Sequence, residues 1–217
     1  GSWNGNGNDK YGEDVDGEEG GDVDLMFDVH VGRFMVDNVN ELQNTINKHM
    51  QFDGNPAPRK VVFVGEEADS LSSGGVMKEE VYKYTNEVDV TRLYDVLHTC
   101  NFSHVLQAIN SNEHQWLNHM GHADLYMDMF FMPPMVSRAT NTTLFIGYTQ
   151  GCYAGSFDGR MGYDIPMGID SIVEFFTFKT PNFAFAYIAN TRFGFYLQGR
   201  VDGPSNVYDW EFADAIF

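Results

Sequence analysis

Three short runs constrain this chain more than anything else in it: Lys60-Val-Val-Phe-Val64, Thr142-Thr-Leu-Phe-Ile-Gly-Tyr148 and Phe183-Ala-Phe-Ala-Tyr-Ile188. A strand with one wet face alternates apolar and polar residues, whereas a nearly continuous apolar run is buried on both faces, as in a parallel sheet. Gln115-Trp-Leu-Asn118 and Leu25 to Val31 are further strand candidates. Helical signals fall between the strands. Asn38 with Glu41 forms a capping box for a helix through about Met50, with Val39, Leu42, Ile46 and Met50 on its apolar face. Gly54, Pro56 and Pro58 close that unit, and a Ser/Gly-rich loop from Ser70 to Gly75 leads to a helical stretch near Met77 to Tyr84. Ser103 can cap a helix to about Ile109, and Ile169 to Phe178 forms another. Strands alternating with helices predict an α/β fold whose central sheet is mostly parallel and flanked by helices.

Composition narrows the function. The 217 residues are 43% hydrophobic and 15% aromatic, enough for a real core. With 13 basic against 31 acidic residues the formal charge is −18, which repels nucleic-acid phosphates and anionic membranes. No window approaches the ~20 apolar residues of a membrane span. Cys100 and Cys152 are too few for a disulfide framework and lack zinc-site spacing. Residues 1–28 carry nine acidic side chains against one basic, Lys10, and read as a loop distinct from the domain over 29–217. There Asp14, Asp16, Glu18 and Asp22 offer closely spaced oxygens for a structural Ca²⁺, although the EF-hand pattern is not met; a plain solvated acidic loop is the alternative. Gly1-Ser2 has the look of an expression scar, and the chain stops on apolar residues at helical spacing, Glu211 to Phe217, so a piece of a longer precursor is expected.

Ligands of parallel sheets bind beyond the carboxyl ends of the strands. Those ends carry Gly65-Glu66-Glu67, Asn118-His119-Met120-Gly121-His122-Ala123 and Tyr148-Thr149-Gln150-Gly151-Cys152. A thiol, an imidazole and small residues that admit a substrate backbone are the parts of a cysteine nucleophile site. The bland alternative is a cysteine that is merely a small buried hydrophobe. Cys100 is read that way, and His30, His49, His98 and His104 as packing or surface residues. His114, His119 and His122 could instead gather a metal, although no His-Glu-x-x-His helix is present.

In order, the segments resemble the gingipain-type cysteine peptidases, within the group that includes caspases and legumain. Asp28-Val-His-Val-Gly-Arg33 with the helix from Glu41 to Lys48 resembles the start of the gingipain catalytic domain. Gly121-His122-Ala123 resembles its Gly-His-Gly, and Thr140-Asn141 with the strand to Gln150-Gly-Cys-Tyr-Ala-Gly-Ser-Phe-Asp158 resembles its nucleophile region. Phe185 to Gly194 and Asp202-Gly-Pro-Ser205 are similar to the pocket-shaping region. The resemblance implies a caspase-like three-layer sandwich and a peptidase acting on proteins or peptides without a catalytic cofactor. It implies Cys152 as nucleophile, His122 as its acid–base partner, the N–H groups of Ala123 and Cys152 as oxyanion hole, and Glu66 or Glu67 orienting the histidine. His119 is left beside the substrate or behind the catalytic pair. Phe195 and Tyr196 could wall the substrate pocket, and Asp202 is a candidate for recognising a basic side chain. Ala123 departs from the family's Gly. Met77 and Lys78 stand where an arginine-binding acid is expected, so preference for Arg does not simply carry over. Export as a proform, to the surface or beyond, is also implied. The readings set against a cysteine endopeptidase are a metal-dependent hydrolase using His119, His122 and nearby acids such as Asp124, and an inactive protease-like binding domain.

Overall fold

A computed structural model describes residues 31–52, 59–85, 88–163 and 165–217. The strand expected from Leu25, the acidic calcium candidates Asp14, Asp16, Glu18 and Asp22, and the closing Gly54, Pro56 and Pro58 lie outside the described residues. The fold below belongs to the unit Met35–Phe217.

In chain order the elements are α1 (Val39–Gln51), β1 (Lys60–Gly65), β2 (Glu67–Asp69), β3 (Ser72–Ser73), α2 (Gly74–Tyr82), β4 (Asp89–Tyr94), α3 (Phe102–Asn110), β5 (Trp116–Met120), α4 (Pro133–Val136), β6 (Phe145–Thr149), β7 (Arg160–Met161), β8 (Ile165–Pro166), α5 (Ile172–Thr177), β9 (Ala184–Ile188) and α6 (Pro204–Ile216). Five strands form one sheet in the order β4-β1-β5-β6-β9, and every pairing in it is parallel. The short strands make two antiparallel hairpins, β2 with β3 and β7 with β8.

The continuous apolar run of β1 explains the layering. Val62 and Val64 turn to one face, where they join Val105 of α3, Val136 of α4 and Phe176 of α5 in one core. Val61 and Phe63 turn to the other, against Val81 of α2 and Ala213 of α6. Both faces of the sheet are therefore covered by helices, the three-layer α/β sandwich that the sequence predicts.

Several local expectations shift. The cap of α3 is Asn101, whose side chain accepts from the His104 N–H, and not Ser103. The expected face of α1 is inverted: Val39 and Met50 are about four-fifths exposed, while Glu41, Thr45 and Lys48 are buried. The reason lies at the end of α5, whose last carbonyls lack helical partners. Lys48 Nζ donates to the carbonyls of Phe176 (3.3 Å), Thr177 (2.8 Å) and Ala184 (2.9 Å). Asn44 donates to the Phe178 carbonyl at 3.0 Å, and Glu41 accepts from Lys179 at 2.7 Å. Burial pulls the Lys48 ammonium down to a pKa of about 7. α1 thus docks by completing another helix, not by hiding its apolar stripe.

Candidate active site

The strand order places a switch point between β1 and β5: from β1 the chain moves to β4 on one side, then returns to β5 on the other. Crevices open at such points, beyond the carboxyl ends of the two strands. A small cleft of about 90 Å³ lies there, lined among others by Ala68 after β1, Gly121 and His122 after β5, and Gln150 and Cys152 after β6. The two residues expected to form the catalytic pair therefore share one cavity.

Cys152 Sγ receives the Gly194 N–H at 3.4 Å. The next residue, Tyr153, adopts a left-handed backbone (φ 57°), held by its N–H to the Arg192 carbonyl at 2.7 Å. Such a conformation is strained for a non-glycine residue and gathers at functional turns. Gly151 abuts Ala123, and a side chain at Gly151 would collide with the Ala123 methyl. Among the described residues, neither the Ala123 nor the Cys152 amide donates a hydrogen bond. Cys100 is also a free thiol, but it packs beside the core, and burial, reinforced by Asp95, pushes its pKa up. It stays protonated at neutral pH, which disfavours it as a nucleophile.

The two histidines differ sharply. His122 Nε2 lies 2.9 Å from the Ala68 carbonyl oxygen. A carbonyl only accepts, so Nε2 carries the proton and Nδ1 is the basic nitrogen. His119 is fully buried and does not line the cleft, so it is not a substrate-side residue. Its Nε2 meets Glu66 Oε1 at 2.9 Å, and its Nδ1 meets Asp128 Oδ1 at 2.9 Å and Thr149 Oγ1 at 2.8 Å. Asp128, itself buried, also accepts from Thr149 and from the Tyr187 hydroxyl, both at 3.0 Å. Burial opposes charge on this ring, but the two carboxylates outweigh it and raise its pKa to about 9. His119 is an imidazolium at neutral pH. Gly121 has no side chain for a reason: a Cβ there would sit 2.5 Å from His119 Nε2 and 2.7 Å from Glu66 Cδ.

Glu66 thus holds His119, not His122. Glu67 is exposed, and its N–H is bonded to Asp95. Neither carboxylate hydrogen-bonds His122, so the expected orienting role falls to a backbone oxygen instead. Asp202 does not line the cleft, and its carboxylate is paired with Arg200 at 2.8 and 2.5 Å. Phe195 and Tyr196 do line it. On the other side of the sheet, buried Lys78 of α2 bonds Asn118 at 2.6 Å and pairs with buried Asp209 of α6. Asp209 also accepts from Asn118 at 2.5 Å and Gln150 at 2.7 Å, which anchors the residue two before Cys152.

As for metals, Asp37, Asp170 and Glu174 cluster closely enough to hold an ion, but Lys179 Nζ already lies 2.8 Å from Asp170 and 3.9 Å from Asp37. His119 has both nitrogens bonded, and Asp124 caps the Tyr126 N–H at 2.6 Å, so a metal at the His119/His122 pair would find His122 Nδ1 as the available nitrogen and no second one. No described helix is long and apolar enough to cross a membrane.

A parallel α/β sandwich with a thiol and an imidazole in one cleft at its switch point has the form of a cysteine-type hydrolase. The sequence model of Peptidase family C25 matches residues 2–217, and the chain belongs to that family, the gingipain family of cysteine-type peptidases. Membership implies protein or peptide substrates. No curated protein and no solved structure gives a significant match.

Proposed function

We propose that the protein is an endopeptidase that cleaves through Cys152 and His122. The observation that carries this reading is the shared cleft, in which both residues stand beside the Ala123 and Cys152 amides that donate to nothing else among the described residues. In this mechanism the Cys152 proton passes to His122 Nδ1 and the sulfur attacks the scissile carbonyl carbon. The two amides hold the oxyanion of the tetrahedral intermediate, where preorganised donors act most strongly. Collapse breaks the C–N bond as His122 returns the proton to the leaving amine. His122 then takes a proton from water, which attacks the thioester, and expulsion of the sulfur restores the thiol. The Ala68 carbonyl fixes the ring in the productive tautomer throughout, and the Gly194 N–H donates to the sulfur.

Export and a calcium ion on Asp14, Asp16, Glu18 and Asp22 belong to the same reading, on family resemblance and residue chemistry alone. Cys152→Ala and His122→Ala are each expected to lower kcat/KM on a denatured protein substrate by about 10³-fold or more, a typical scale for nucleophile and acid–base losses. A Cys152→Ala protein that cleaves at the wild-type rate would falsify the assignment.

A further inference from the structure

Resting on that reading, we propose that the cleft beside Cys152 accepts a neutral aliphatic side chain, of about leucine size, before the scissile bond, and excludes arginine and lysine. Its walls are Ala68, Met120, Phe195 and Tyr196. Behind them Met77, Ala68 and Met120 form a separate apolar cluster, joined by Tyr196 and Val201. Among the described residues, no carboxylate lines the cavity.

The nearby acids are committed elsewhere. Glu66 is bonded to His119. Asp69 Oδ1 accepts the Leu71 N–H and its Oδ2 the Tyr196 hydroxyl, each at 2.8 Å. Asp202 is paired with Arg200. A substrate guanidinium or ammonium entering this cleft would lose its hydration with no carboxylate among the described lining residues to receive it, and such a charge is costly to bury. Apart from His122 and Cys152, the polar side chains that line it, Gln150, Tyr196 and Ser205, carry no charge. Size sets the upper limit. The cavity's 90 Å³ is well below the roughly 150 Å³ that encloses a benzene ring. Leucine, methionine and valine fit, whereas a phenylalanine ring overfills it.

The experiment uses the full chain and four peptidyl chloromethyl ketones differing only in the residue before the reactive carbon: Leu, Phe, Arg or Lys. The rate and position of adduct formation are read by intact mass and peptide mapping. The Leu probe is expected to modify Cys152 about a hundredfold faster than Arg or Lys, the ratio expected when a charge finds no partner. Asp69→Asn and Asp202→Asn are expected to leave that ratio unchanged. Modification of Cys152 at equal or greater rates by Arg or Lys overturns the specificity while sparing the nucleophile, and loss of that reactivity in either Asn variant would identify the acid responsible. Modification of Cys100 alone, or of neither cysteine, overturns both this inference and the catalytic reading.

Discussion

At the scale of single residues, the most consequential side chain outside the cleft is His119. Its folded pKa, about 9, lies above the ordinary 6.5, so its charge stabilises the fold fully below about pH 6.5 and the benefit is lost as pH rises through 9. A shift of this size in a fully buried ring corresponds to about 3 kcal/mol. Lys48 works in the opposite sense, because its lowered pKa makes stability rise with pH between about 7 and 10.5. The measurement must therefore be a difference. In urea titrations from pH 6 to 9.5, wild type should lose stability relative to Asp128→Asn, and parallel curves would show that the ring is neutral in the fold. Gly121→Ala is expected to break the Glu66–His119 bond and lower activity with it, since the new methyl would occupy the space of that pair. Much of this was legible in sequence and some was not. The strand-end rule brings Cys152, His119 and His122 forward together, and the likeness of Gly121-His122-Ala123 to the gingipain Gly-His-Gly is what chooses between the histidines. The Ala68 carbonyl and the Gly194 amide are backbone groups of ordinary residues, so no side-chain pattern could announce them. Asp128 sits in a loop with no motif, and only the fold brings it to His119.

Elements tell a similar story about what hydropathy can express. β1 and β6 were readable because burial on both faces writes nearly continuous apolar runs, whereas β5 carries Asn118 and His119 and β9, at the sheet's other edge, is buried only at Ala184. β4 was not readable, because as an edge strand Asp-Val-Thr-Arg-Leu-Tyr is only partly buried and resembles a loop. Hydropathy misassigns α1 outright, since it cannot register an ammonium whose three protons meet three carbonyls. Lys48→Met should therefore cost about 2–4 kcal/mol, because each buried carbonyl left without a donor costs about 1–3 kcal/mol and the added apolar burial offsets part of the loss. Ile46→Ser, on the exposed face, should stay within about 0.5 kcal/mol. Chemical denaturation of both variants checks the order, and a larger loss at Ile46 would restore the face that the sequence predicts.

At the scale of the molecule, the parallel sheet governs how the site comes into being. Its parts come from the ends of four strands: Ala68 after β1, His122 after β5, Cys152 after β6 and Gly194 after β9. Parallel neighbours cannot be joined by a tight turn, so each pairing waits on a long crossover, and such non-local topologies fold slowly. On refolding from urea, peptidase activity is expected to return no faster than the slowest phase of sheet formation seen by circular dichroism; an earlier active species would contradict this. The consequence concerns timing. A newly made chain is surrounded by unfolded copies of itself, the most easily cut substrates it will meet. On the proposed mechanism, nucleophile, base and donors converge only when the last strand is paired, which makes the protein harmless to its siblings for as long as it is itself vulnerable to them.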